Sequence, residues 1–141
     1  MIKQDNLQRI LYAGAGLIIS STILFPVATV LYLILDKSGS ATPESGIAGT
    51  VVIVILHLLI LYAFREAIIV NKRGGHLSNI VYIAAMAGLL LLGLIILLMA
   101  VEFLVGHSFY LTTILLFICV GCDFVSSILA LAALLLQPKK Y

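Results

Sequence analysis

Asp123 sits in the middle of a long apolar stretch, Phe109 to Leu136, which reads FYLTTILLFICVGCDFVSSILALAALLL. A transmembrane helix needs roughly 20 mostly apolar residues, and this stretch is long enough. A carboxylate at the centre of a bilayer costs about 2.5–3.5 kcal/mol on insertion scales and rarely faces lipid. Two chemistries suit such a group: binding a proton or cation, or joining helices through a hydrogen bond. Ser126 and Ser127, one turn on, are candidates to satisfy it. His57 falls near the centre of an earlier apolar run, at about the depth of Asp123, and is the expected partner. It could relay a proton, ligate, or simply hydrogen-bond between helices. Ser20, Ser21 and Thr22 form a third polar group at mid-depth.

The remaining polar residues carry less chemistry. Arg65 and Glu66 lie one to two turns from the end of their run, where an arginine snorkels to the interface. Glu102 lies near the opposite surface, close to His107 in a short turn. Cys119 and Cys122 form a C-x-x-C, but deep in apolar surroundings, where thiol exchange lacks both thiolate and access. They read as small packing residues. No nucleophile–base set, P-loop, H-E-x-x-H or G-x-S-x-G motif is present. The chain therefore suggests no catalytic residues, no metal site and no cofactor. Haem would need a second axial ligand at the depth of His57, and His76 and His107 both lie several turns away.

The elements that must position these groups follow from composition. Of 141 residues, 63% are hydrophobic and 10% charged, and the mean hydropathy is +1.26. A soluble domain of this size cannot bury that much apolar surface, so lipid must cover it. Four runs are long enough to span, at about 10–35, 47–70, 80–105 and 109–136. Short links between them predict one all-α domain over 1–141, a polytopic membrane protein with four transmembrane helices in an antiparallel bundle. Pro26 predicts a kink in the first helix. Thr42-Pro43 and Ser78 look like helix starts, and Gly74-Gly75 a helix stop.

On the fourth helix, Thr112, Leu116, Cys119, Asp123, Ser126, Ala130 and Ala133 share one face of mostly small or polar side chains. Such faces allow close helix approach. Gly14 and Gly16 on the first helix, and Ala84, Ala87 and Gly88 on the third, offer similar surfaces. Lys3, Arg9, Lys72, Arg73, Lys139 and Lys140 fall on one side of the membrane and Lys37 on the other. The positive-inside rule then places both termini in the cytoplasm, with the plasma membrane as the expected location. A net charge of +2 gives no support for nucleic-acid binding. The expected partners are the bilayer and either further copies of the chain or a larger membrane complex. Two functions remain. One is an accessory, regulatory or interaction protein without catalytic activity. The other is an oligomeric proton- or cation-coupled transporter or channel subunit that uses the Asp, His and Ser cluster.

Overall fold

The computed structural model describes residues 4–35, 43–77, 79–105 and 110–137. Four helices make up the fold: α1 (Gln4–Leu35), α2 (Pro43–Lys72), α3 (Asn79–Val105) and α4 (Tyr110–Leu136). Each contains a span long and apolar enough to cross a membrane. The chain is an all-α membrane protein with four spanning helices. Thr42, Ser78 and the charged side chains of Lys3, Lys37, Glu102, Lys139 and Lys140, with His107, lie outside what is described.

The helices pack in a ring, α1 on α2, α2 on α3, α3 on α4 and α4 on α1, with no close backbone approach across either diagonal among the described residues. The α1–α4 seam is the most extensive and α2–α3 the least. Hydrogen bonds fix the antiparallel sense. Thr50 in the first turns of α2 donates to Thr29 near the end of α1, at 2.8 Å. At the other end, the start of α1 meets the end of α2. There Asn71 Nδ2 donates to Gln8 Oε1 at 2.6 Å, and Gln4 Nε2 donates to the Asn71 carbonyl. The Gln137 amide pairs with the Leu77 backbone, accepting from N–H at 2.8 Å and donating to C=O at 3.0 Å. This end is called the terminal end below, and the opposite one the distal end.

Two helices extend beyond their apolar runs. α1 begins six residues before Ile10 because Gln4 and Gln8 are held on α2, so its polar first turns stay helical. α2 opens at Pro43, whose fixed φ and missing N–H suit a first helical turn, and it continues through Asn71 and Lys72. Its stop uses both glycines. Gly74 takes φ +72°, its N–H bonds Asn71 O at 3.1 Å, and Gly75 N–H bonds Val70 O at 2.9 Å. That pair of bonds is a Schellman motif, which a residue with a Cβ enters only with strain. α1 runs through Pro26 as one helix.

Two close helix contacts depend on glycine. A Cβ on Gly14 would lie 2.5 Å from the Phe64 ring, and one on Gly88 would collide with Ser127 Oγ. Gly16, expected to pack, is exposed, with nothing within 4 Å of a Cβ. The reason is rotational. Two residues beyond Gly14 is about 200° round the helix, so the face that meets α2 carries Gly14 and turns Gly16 outward.

Candidate functional site

The seven residues of the α4 face that includes Asp123 are all buried, while Phe117, Val125 and Leu135 on its other side are exposed. Asp123 therefore points at the bundle axis from the middle of α4. His57, in the middle of α2, points at it from across the diagonal. Its Nε2 lies 3.1 Å from both carboxyl oxygens of Asp123. Ser21 of α1 brings its hydroxyl to 3.0 Å from the same nitrogen. All three side chains are 0% exposed. Three helices thus meet in one polar knot, and on the fourth, α3, Leu91 and Ile95 are buried apolar side chains.

The second imidazole nitrogen settles the protonation pattern. Nδ1 is 2.8 Å from the carbonyl oxygen of Ile53. A carbonyl only accepts, so Nδ1 carries hydrogen. A neutral ring then has a bare lone pair at Nε2. Against an ionised carboxylate that would set acceptor against acceptor at 3.1 Å. One more proton must lie between the two groups, either on Nε2 as an ion pair or on Asp123 as a carboxylic acid donating to the ring. In both forms the pair has no net charge, which suits a fully buried site.

This arrangement is not a catalytic triad, although it contains Ser, His and Asp. In a triad the carboxylate holds one ring nitrogen and the serine uses the other. Here Ser21 and Asp123 converge on the same nitrogen, and the opposite one is occupied by a backbone carbonyl. Ser21 has no base free to take its proton.

The surrounding residues support the knot. Ser127 donates its hydroxyl to the Asp123 backbone carbonyl at 3.0 Å. Ser126 is buried beside it. Cys119, also buried, directs its thiol to Ser21 O at 3.9 Å. Cys119 and Cys122 are both free thiols. Ala84, Gly88 and Ala130 are buried at helix contacts. Other expected residues lie elsewhere. Ser20 is exposed and bonds Gly16 O within its own helix at 3.0 Å, and Thr22 does the same with Ile18 O at 2.7 Å. Of the Ser20–Thr22 group only Ser21 reaches the site. Arg65 is exposed and pairs with its neighbour Glu66 at 3.2 Å, apart from Asp123. The side chain of Glu102 is outside the described residues.

Sequence reasoning missed the polar clasp at the terminal end. Gln4, Gln8, Asn71 and Gln137 look like solvated residues flanking apolar runs, and no spacing links them. Together with Leu7, Gly74, Gly75 and His76, three of these amides (Gln4, Asn71 and Gln137) line a cavity of about 100 Å³. Among the described residues, no three His, Cys, Asp or Glu side chains gather in a way that could hold a metal ion. No protein-family model, curated protein or solved structure matches the chain.

Proposed function

We propose that the chain is a small integral membrane protein of accessory, regulatory or interaction type, without catalysis of its own, and with both termini in the cytoplasm. One observation carries this reading: His57, Asp123 and Ser21 close fully on one another at the centre of the bundle. Polar groups arranged for solute passage face a cavity, whereas these are used up in joining three helices. The outer surface is lined by large apolar side chains, so the helix exterior is what the protein offers to lipid, to further copies or to a membrane partner. The test is purification in mild detergent with measurement of mass and of co-purifying chains. A stable hetero-complex supports the reading, and a lone homo-oligomer that conducts protons defeats it.

A second reading, an oligomeric proton-coupled transporter or channel subunit, draws on the proton that the His57–Asp123 geometry requires. It predicts pH-driven flux in liposomes that Asp123→Asn abolishes while the fold survives, since an amide hydrogen-bonds but does not titrate. Unchanged flux in that variant would remove it.

A further inference from the structure

We propose that α1 and α2 form, at the terminal end, a binding site for the headgroup of one anionic phospholipid, held by Arg9, Tyr12 and Lys72 with Arg65 one level deeper. The proposal rests on the four-span bundle alone, so it stands whether the chain is an accessory protein or a transporter subunit.

The cations are unevenly placed. Among the described residues the lysines and arginines are Arg9 on α1, Arg65 and Lys72 on α2, and Arg73 in the turn that follows. α3 and α4 carry none. The described positive charge therefore lies on one side of the bundle as well as at one end. All four side chains are exposed. Two carboxylates accompany them, Asp5 and Glu66, and Glu66 pairs with Arg65 at 3.2 Å. Among the described residues no carboxylate pairs with Arg9, Lys72 or Arg73. The cation excess is thus left to an outside partner.

Helical geometry brings these groups to one groove. Lys72 Nζ lies 5.7 Å from the centre of the Tyr12 ring, so that stripe of α2 borders α1. Arg65, seven residues before Lys72, returns to within about 20° of the same stripe and lies about 10 Å nearer the membrane centre. On α1, Arg9 and Gly16 share a stripe by the same spacing, and the half-exposed Tyr12 lies between them in depth.

Depth identifies the partner as a lipid. α2 has 30 residues, about 45 Å at 1.5 Å per residue, against a hydrocarbon core of about 30 Å. Roughly five residues overhang at each end, which puts Arg65 close to the hydrocarbon boundary. A tyrosine with its polar tip at this level is an interfacial anchor. Below Tyr12 the outer face of α1 becomes open and mostly apolar. Nothing stands within 4 Å of a Cβ on Gly16, and Ile19 and Ile23 are exposed. Cations, then an aromatic hydroxyl, then apolar surface follow the order of phosphate, glycerol and acyl chain in one phospholipid. A soluble acidic peptide would meet Lys72 and Arg73 without reaching Arg65. A zwitterionic lipid brings its own cation beside the phosphate, which the excess of cations here disfavours.

The test is native mass spectrometry of the full chain in mild detergent, titrated separately with phosphatidylglycerol, phosphatidylcholine and glycerol 3-phosphate. One phosphatidylglycerol should bind, and more tightly than either of the others. A basic side chain beside an anionic surface contributes about 1 kcal/mol, roughly fivefold in affinity. Arg9→Gln and Lys72→Gln should therefore each weaken phosphatidylglycerol about fivefold. Lys140→Gln, which removes a cation from the segment after α4, should change little. Equal losses in all three variants would mean diffuse attraction and overturn the site. Equal binding of phosphatidylcholine or of glycerol 3-phosphate, or no retained lipid, overturns it too. So does retention of a second copy or an acidic protein, in place of lipid, that Lys72→Gln releases. Because a substitution can disturb the fold, the unsubstituted chain labelled with ¹⁵N-lysine gives a second readout in bilayers. Lys72 Nζ should show a through-space contact to lipid ³¹P when phosphatidylglycerol is present and lose it in phosphatidylcholine alone. No contact in either bilayer, or the same contact in both, overturns the proposal.

Discussion

At the scale of single residues, the imidazole of His57 governs how the site responds to substitution. It has two partners at Nε2, Asp123 and Ser21, and either alone can satisfy the lone pair of a neutral ring. Asp123→Asn should fold normally, with the amide donating to Nε2. Asp123→Leu should be tolerated better than a lone buried carboxyl–histidine pair would suggest, because the Ser21 hydroxyl still donates to the ring. Ser21→Ala alone should also be mild. The combination of Asp123→Leu with Ser21→Ala leaves Nε2 without a partner and should cost about 1–3 kcal/mol beyond the sum of the single changes. Thermal unfolding of the four proteins in one detergent measures this. Additive effects would mean that Ser21 does not serve the ring. Depth counting along the apolar runs was enough to pair His57 with Asp123. The choice of Ser21 over Ser20 and Thr22 was not legible, since it depends on the rotation of α1 about its axis, and three consecutive polar residues leave that rotation open.

At the scale of helices, close approach is set by two glycines on opposite seams. Gly14 admits the Phe64 ring between α1 and α2, and Gly88 admits Ser127 between α3 and α4. The second contact makes a clean test because the obstacle is one oxygen. With Gly88→Ala the new methyl collides with Ser127 Oγ, which is already bonded to the Asp123 carbonyl, and overpacking of this kind costs about 1–3 kcal/mol. The Ser127 Cβ would be 3.6 Å from that methyl, an ordinary contact. Ser127→Ala should therefore be near neutral alone and should restore most of the stability lost in Gly88→Ala. A double variant no better than Gly88→Ala would show that the seam is set elsewhere. The face of α4 gives a parallel expectation: Ala130→Leu, at a fully buried position, should cost about 1–3 kcal/mol, while Val125→Leu on the exposed side should change little. The α4 face could be read from sequence because polar and small residues recur there at helical spacing. α1 was harder, since Gly14 and Gly16 are equally small and only contact with Phe64 distinguishes them. The terminal clasp was not legible at all. Gln4, Asn71 and Gln137 come from three separate helix ends, and a glutamine beside an apolar run looks the same whether it meets water or a backbone amide.

At the scale of the whole molecule, helix length and charge placement make a testable prediction of how the bundle sits. Helices of 27 to 32 residues are about 40–48 Å long at 1.5 Å per residue, against a hydrocarbon thickness of about 30 Å. Their ends must project through the headgroup layer, so both sets of connections reach water. The α2–α3 connection carries Lys72 and Arg73, with Lys72 lying over the Tyr12 ring at 5.7 Å, and Arg9 lies toward the same end. The opposite connection, between Leu35 and Pro43, holds a lone lysine, Lys37. The positive-inside rule makes a cytoplasmic terminal end the expected outcome. A labelling test needs one reporter at each end. Gly75 is a poor choice, because a Cβ there would lie 2.9 Å from the Val70 side chain and 3.2 Å from its carbonyl. His76 is exposed and carries no obligatory charge, so His76→Cys reports the terminal end without removing a lysine or arginine. Ser40→Cys reports the other. In a background of Cys119→Ala and Cys122→Ala, an impermeant maleimide added to intact cells should label Ser40→Cys at once and His76→Cys only after the membrane is permeabilised. The reverse pattern would invert the orientation and leave the fold standing. Labelling of both in intact cells would contradict the four-span bundle itself, because a single crossing, α2, separates the two connections and puts them on opposite sides.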